Sequence, residues 1–492
     1  MKKRTGMILG WGIAAIALLT ACRGENLSSG QKKIKLDSSN PVSLTVWHYY
    51  NGTQQAAFDQ LVEEFNATVG SEQGIYVEGY SHGSVSDLEE AVQSALQGEV
   101  GAEKLPDMFS SYADTAYAAQ KAGRLTDIRQ YFSQEELDGY VDSYIQEGCF
   151  NDDGALYLFP IAKATEILMI NRTDWEVFAQ ETGSSLDELA TTEGITQVSK
   201  RYYEWTDAKT PEIPDDGKAF YGRDSMSNYF IIGMKQMRTE LFEVSQGAVT
   251  IQADKEKIRR LWDNYYIPYI MGYYGGYGRF RSDDVKTGDI LAYTGSASSA
   301  MYFPDRVECE GESYEIDHIV LPSPIMEGGE VYRVQQGAGM TVTKSDETRE
   351  YASCIFLKWF TQKEQNLRFV CDSAYLPVRK DANTVEALDE IREETEVNQK
   401  VYDCLVSVLE QFDQTTYYAT KSFDHGYQTR KVLDVYLSDQ AVKDKAAIDQ
   451  AVAQGKTRDE AAAPYRTEEA FEEWYHNFTE TLNSTAVQEE NN

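Results

Sequence analysis

Positive charge is scarce in this chain. Its 492 residues carry 46 lysines and arginines against 80 aspartates and glutamates, a formal net charge of −34. A surface of that sign repels nucleic acid and anionic lipid headgroups, so nucleic-acid binding is excluded. The acids are spread along the chain rather than massed in a tail, which suits a role in solubility. Histidine is rarer still, with 5 residues. His48, His82, His318, His425 and His476 form neither an H-E-x-x-H motif nor a close pair, so the zinc-hydrolase pattern is missing. The 6 cysteines contain no C-x-x-C pair, which removes zinc-ribbon and thioredoxin chemistry. Cys149, Cys309, Cys354, Cys371 and Cys404 read as small hydrophobes in a protein that does not rely on disulfides. Phosphate loops are lacking too: Gly275-Gly276-Tyr277-Gly278 meets neither the dinucleotide nor the Walker spacing. Neither a metal nor a cofactor is expected. Beyond Leu19 no apolar run reaches membrane-spanning length, and Ile167 to Ile170 is strand-sized.

What the N-terminus does contain is directional. Lys2, Lys3 and Arg4 precede a 13-residue apolar stretch from Met7 to Leu19, too short to span a bilayer as a helix. Leu19-Thr20-Ala21-Cys22 then sets small residues before a cysteine, a pattern that resembles the lipobox of bacterial lipoproteins. The resemblance implies cleavage before Cys22 and acylation of its thiol, holding the protein by membrane lipid at the outer face of the cytoplasmic membrane. An ordinary signal peptide with a chance cysteine is the competing reading. Removing residues 1–21, which hold three basic and no acidic side chains, deepens the net charge from −34 to −37.

A mature chain of this size exceeds what one hydrophobic core serves, so two lobes are expected. Residues 22–41 are polar and read as a flexible tether. Ser43-Leu44-Thr45-Val46-Trp47 alternates as a strand, and Phe58, Leu61, Val62 and Phe65 mark one face of a helix. Gly74 to Glu78 is a second strand. Ser86-Asp87-Leu88-Glu89 reads as a capping box opening the next helix. Pro106 to Ser110 and then Thr115 to Ala122, stopped by Gly123, continue a β-α-β-α-β order that predicts a parallel sheet wrapped by helices. Asn151-Asp152-Asp153-Gly154 is a turn rather than a calcium loop, because the ligand spacing does not continue.

Several of these pieces together resemble the extracellular solute-binding proteins of ABC importers, in the group that includes maltose- and glycerol-phosphate-binding proteins. They are Val46-Trp47-His48 before a helix, Pro106-Asp107-Met108-Phe109, and Leu158-Phe159-Pro160-Ile161-Ala162 leading to Met169-Ile170-Asn171-Arg172. Gly288 to Gly295 follows, and then Tyr351 to Phe360 before Tyr375-Leu376-Pro377-Val378, with Ala374 where relatives carry glycine. The resemblance implies an α/β, two-lobed periplasmic-binding-protein type II fold whose lobes are joined by crossing strands. It assigns residues 42–162 and 320–372 to the first lobe and 163–319 and 373–485 to the second, with 486–492 a polar tail. Crossings are expected near Ile161–Thr165, Ile319–Ser323 and Cys371–Pro377. The implied function is capture of a carbohydrate or polyol outside the cell and delivery to the ABC permease subunits by a monomer without enzymatic activity.

Tyrosine (33) outnumbers phenylalanine (19), so many rings carry a hydroxyl suited to a wet surface. Carbohydrate needs aromatic platforms with hydrogen-bonding side chains beside them. Trp47, His48, Tyr80, Ser111 and Tyr112 follow strand ends that face a crevice in an open α/β sheet. By resemblance, Ser296 and Ser298 contribute from the second lobe, with Lys163, Gly339 and Tyr375 at or beside the crossings. Tyr274, Arg279 and His425 join them on composition. If Lys163 and Arg279 both face the cleft, an acidic or phosphorylated sugar is favoured over a neutral one. Gly79-Tyr80-Ser81-His82-Gly83 also matches the nucleophile elbow of a serine hydrolase, with His425 as its base; a surface scaffold protein is a third reading. The N-terminal reading has a direct check: the protein should incorporate labelled palmitate and fractionate with membranes, and Cys22→Ala should release it. Membrane retention of that variant would overturn the lipobox.

Overall fold

The computed structural model describes residues 34–151, 153–245, 247–309 and 311–487. The expected signal peptide, Cys22, and the tether as far as Lys33 lie outside the described residues, as does most of the polar tail. From Lys35 onward the chain forms one compact unit.

Two sheets organise it. In the first, the order is Ile75–Ser81, Val42–His48, Met108–Ser111, Gly339–Val342 and Phe159–Pro160. The first three strands are parallel, as the β-α-β-α-β pattern requires, and Gly339–Val342 returns antiparallel to both neighbours. Helix Gly52–Phe65 buries Phe58, Leu61, Val62 and Phe65. Phe58 and Phe65 meet Phe356 edge-on, and Phe65 meets Trp359 the same way, so the helix from Glu347 to Phe360 completes this core. In the second sheet the order is His318–Pro322, Glu166–Asn171, Ala292–Ser296 and Tyr221–Arg223. All six residues of Glu166–Asn171 are buried, because helices cover both faces. One face packs against Phe178, Phe220, Trp262 and the C-terminal helices Gly426–Ala453 and Glu468–Ala486. The other packs against Tyr293, Phe303, Leu388 and Leu405. The fold is two-lobed α/β.

The chain passes between the sheets where backbone pairs to backbone. Lys163 N donates to Leu376 O at 3.1 Å, and Ala164 N to Gln336 O at 2.8 Å with the reverse bond at 3.0 Å. Residues 161–165, 335–338 and 374–377 therefore meet side by side. The middle passage differs from its expected position at Ile319–Ser323: that stretch lies on the edge strand His318–Pro322, paired to Glu166–Asn171, and the return to the first sheet comes after the short strand Tyr332–Val334.

Local details also shift. Helix Val85–Gln97 is capped by Ser84, whose extended backbone (φ −147°) lets its hydroxyl accept from Asp87 N; Ser86 is already helical. The helix starts earlier than the Ser86 box implies, with Glu89 in its second turn. Asn171 is likewise a cap, accepting from Asp174 N. Ala374 sits at φ 54°, which explains why glycine suits that position. All five cysteines among the described residues are free.

Gly337, in the middle passage, has φ +92°, and a Cβ there would lie 3.1 Å from both Ala164 N and Lys163 Cα. Gly154 has φ +78° with nothing within 4 Å. Both Gly→Ala variants should lose about 1 kcal/mol to backbone strain, but Gly337→Ala should lose about 1–3 kcal/mol more by crowding the crossing strands. Chemical denaturation of the two variants separates these terms, and equal losses would refute the crowding.

Candidate functional site

Between the lobes lies a cavity of about 450 Å³. The first lobe supplies the N-terminal half of helix Val85–Gln97, the turn entering helix Ala113–Lys121, and Glu147. The second lobe supplies Ser225, Ser227 and Asn228 at the start of helix Met226–Gln236, the segment Tyr418 to Thr420, and Tyr427, Arg430, Lys431 and Asp434 from the long C-terminal helix. Gln335 and Gln336 line it from the middle passage. The walls thus mix tyrosine faces with amide, hydroxyl and charged groups from elements far apart in sequence.

Polar bonds bridge the cavity. Arg430 Nε donates to Asp114 Oδ2 at 2.6 Å, and beyond it Lys121 Nζ reaches Asp424 Oδ1 at 2.6 Å. Both link helix Ala113–Lys121 to the start of the C-terminal helix, across the lobes. At the floor, Lys163 is 1 % exposed; its Nζ donates to Glu147 Oε2 and to the Gly337 carbonyl, each at 2.6 Å. Gln335 Nε2 donates to the same Glu147 oxygen at 2.6 Å. Deeper in the second lobe, Glu166 and Arg223 form a buried ion pair at 3.1 Å. Asn228 Nδ2 ties Glu166 to Gln336, donating at 3.0 and 2.9 Å. Glu89 stands apart: burial raises its carboxyl from 4.5 to about 7, partly opposed by hydrogen bonds from Thr115 and Tyr427, while Asp114 raises it further and Lys431 lowers it.

Of the residues expected at the ligand, Tyr112 lines this cavity, and His425 lines an adjoining one of about 710 Å³ that shares Asp114 and Tyr427. The others fall elsewhere. Trp47 and Tyr80 border a separate hollow on the first lobe with Ser81 and His82; Trp47 packs on His82 with ring centroids 4.7 Å apart. His48 is fully buried between Phe58 and Tyr50, and desolvation lowers its imidazole to about 4. Ser111 bonds the Tyr112 carbonyl, and Ser296 bonds Ser298. Tyr375 is buried with its hydroxyl on that of Tyr49. Gly339 lies inside the first sheet against Leu158 and Phe159. Tyr274 is a core residue bonded to Thr196, because the aromatic run it belongs to closes the second lobe's interior. Arg279 is exposed and lies over Phe280. Neither Arg279 nor Lys163 therefore offers a free cation to the cavity.

Sequence reasoning missed Glu89, Asp114, Gln335, Asn228, Arg430 and Lys431. The Ser86-Asp87-Leu88-Glu89 pattern hinted that Glu89 sits on a helix, but nothing local marked which face it presents. Ser81, the supposed nucleophile, donates its hydroxyl to the Tyr50 carbonyl at 2.6 Å, and it lines a different hollow from His425.

The match of this architecture to known proteins decides the class. The family model for the bacterial extracellular solute-binding protein covers residues 60–399. The chain belongs to that family. Solved structures agree at the level of fold. UgpB from Mycobacterium tuberculosis, in complex with glycerophosphocholine, aligns with TM-score 0.64 at 16% identity over 91% of this chain and 98% of its own. The cyclic alpha-maltosyl-1,6-maltose binding protein from Arthrobacter globiformis aligns at 0.60 and 18% over 90% and 100%. An ABC substrate-binding protein from Listeria monocytogenes, in complex with cycloalternan, aligns at 0.61 and 15% over 90% and 100%. A search of curated protein sequences returned no match. Among the described residues no helix of this solute-binding protein is long and apolar enough to cross a membrane, and no cluster of three or more His, Cys, Asp or Glu could hold a metal ion.

Glu89 makes a stability prediction without ligand. Its folded carboxyl is raised, so its favourable contribution is complete below about 4.5 and is lost as pH rises through about 7. Glu89→Gln should therefore stabilise the unliganded protein at pH 8 by an amount on the order of 3 kcal/mol, with the gap closing towards pH 4.5. Denaturation midpoints at the two pH values measure it, and a pH-independent gap would contradict the burial.

Proposed function

We propose that this solute-binding protein captures a carbohydrate between its lobes and hands it to the permease of an ABC importer. The observation that carries the reading is the 450 Å³ cavity, walled from both lobes by Tyr112, Tyr418 and Tyr427 together with amide, hydroxyl and carboxylate groups. Such a lining suits a ligand with apolar faces and a rim of hydroxyls. The oligosaccharide ligands of two of the aligned relatives support the same class. In this reading Tyr112 and His425 contact ligand from the expected set, and the remaining contacts come from Glu89, Asp114, Asn228, Gln335 and Arg430. Trp47, Tyr80 and Tyr375 have no direct role.

The mechanism is a population shift. Both lobes have their own cores, and the short crossing passages absorb rotation. Asp114–Arg430 and Lys121–Asp424 span the lobes, so they form on closure and break on opening. A ligand touching both walls favours the closed state by its differential affinity. Export and acylation at Cys22 would hold the protein at the outer face of the membrane, within reach of a permease. A hydrolase is disfavoured because the Ser81 hydroxyl is engaged as a donor to the Tyr50 carbonyl and lies in a different hollow from His425, the base expected for it.

The test is a thermal-shift screen of mono- and oligosaccharides, polyols and sugar phosphates, followed by small-angle scattering. A true ligand at a hundredfold excess over Kd should add about 2.7 kcal/mol of stability and reduce the radius of gyration. An amino acid or peptide that stabilises the protein while every sugar fails would refute the carbohydrate reading. Ester hydrolysis lost in Ser81→Ala would refute the non-enzymatic one.

A further inference from the structure

Two oxygens that can only accept, together with the Thr420 hydroxyl, are buried without a partner among the residues lining the interlobe cavity. Gln335 is 5 % exposed, and its Nε2 donates to Glu147 Oε2 and to the Ser143 carbonyl at 3.1 Å. Both partners are pure acceptors, so the amide cannot be turned over without losing both bonds. Its Oε1 is thereby fixed away from them and remains buried without a partner. Asp114 repeats the pattern: Arg430 occupies Oδ2, and Oδ1 is buried and unpartnered. Glu89 is a third acceptor; it already accepts from Thr115 and Tyr427, but it has no ion pair among the described residues, where Asp114–Arg430 and Glu147–Lys163 are both paired.

The charge points the same way. Four carboxylates and two cations line the cavity. Arg430 is neutralised by Asp114, and Lys431 lies over the Tyr427 ring at 4.6 Å and is hydrogen-bonded to its hydroxyl. A buried acceptor without a donor costs free energy that a ligand recovers by supplying one. An anionic ligand would bring further acceptors and meet like charge.

We propose that Glu89, Asp114 and Gln335 select a donor-rich ligand, a neutral or amino-bearing sugar, and reject uronates, sugar phosphates and phosphodiesters. The assignment rests on the carbohydrate reading above and narrows it. Glu89 determines specificity: its carboxylate accepts two hydroxyls or one ammonium group from the ligand. Those bonds favour the ionised carboxylate, so binding releases a proton and weakens as pH falls below about 7. The charged and titratable groups facing Glu89 are Asp114 from helix Ala113–Lys121 and Tyr427 and Lys431 from the C-terminal helix, with Tyr112 at the entry to the former.

Calorimetric titration of the full mature chain with maltotriose, xylotriose, a glucosamine disaccharide, digalacturonate and glycerol 3-phosphate tests this. Neutral or amino probes should bind and the two anions should not. Glu89→Gln should weaken the best probe roughly 10- to 100-fold, the loss of a charged hydrogen bond. It should also flatten the difference between about pH 5.5 and about pH 8.5. Asp114→Asn, which frees Arg430, should gain affinity for the anions, and it provides an independent arm if Glu89→Gln folds poorly. An anion bound as tightly as the neutral probes would overturn this selectivity and leave carbohydrate capture standing. So would a Glu89→Gln variant with unchanged affinity and pH profile. Failure of every probe would overturn both.

Discussion

The buried contact of Lys163 with Glu147 is the constraint on which the centre of this molecule depends. An ammonium group at 1 % exposure must be paired, and removing one partner of such a pair costs about 3–5 kcal/mol. Lys163 lies in the first passage between the lobes, Glu147 in the first lobe, and the Gly337 carbonyl that also accepts from Lys163 in the middle passage. One side chain thus joins two crossings and a lobe. Glu147 then orients Gln335, a residue of the cavity lining whose carbonyl oxygen is buried without a partner. The lining of the cavity is thereby coupled to the contacts that hold the crossings together.

The strong acidity of the chain acts differently in different places. On the surface it is a solubility device. In the cleft each cation is matched to an acid or a ring, and the acids outnumber them. Family membership alone leaves the ligand open, since structures of the same fold hold glycerophosphocholine in one case and cycloalternan in another. The proposed selectivity therefore rests on the groups that line the cavity and not on the overall fold.

Closure has its own geometry. Asp114–Arg430 and Lys121–Asp424 tie the same helix to the same helix terminus. Exposed ion pairs of the second kind contribute little by themselves. The first is more sheltered, with Asp114 side-chain exposure of 9%, and adjoins the ligand cavity, so opening would expose both charges together.

The sequence by itself determined the elements and their class. Alternation in Ser43–Trp47, the face formed by Phe58, Leu61, Val62 and Phe65, and Gly123 as a stop are local signals. Local signals survive because backbone propensity and side-chain periodicity act over one or two turns. The order of family motifs added the two-lobed fold. Cap positions were legible only approximately: Ser84 and Ser86 both precede suitable partners, and backbone conformation chose Ser84. Tertiary structure alone assembled the candidate cavity. Asp114 and Arg430 are 316 residues apart, and no periodicity relates them. Trp47, Tyr274 and Tyr375 looked like ligand platforms because aromatic residues serve cores and binding sites equally well. Only packing revealed which rings were enclosed by neighbours, and which acceptors were left without a donor.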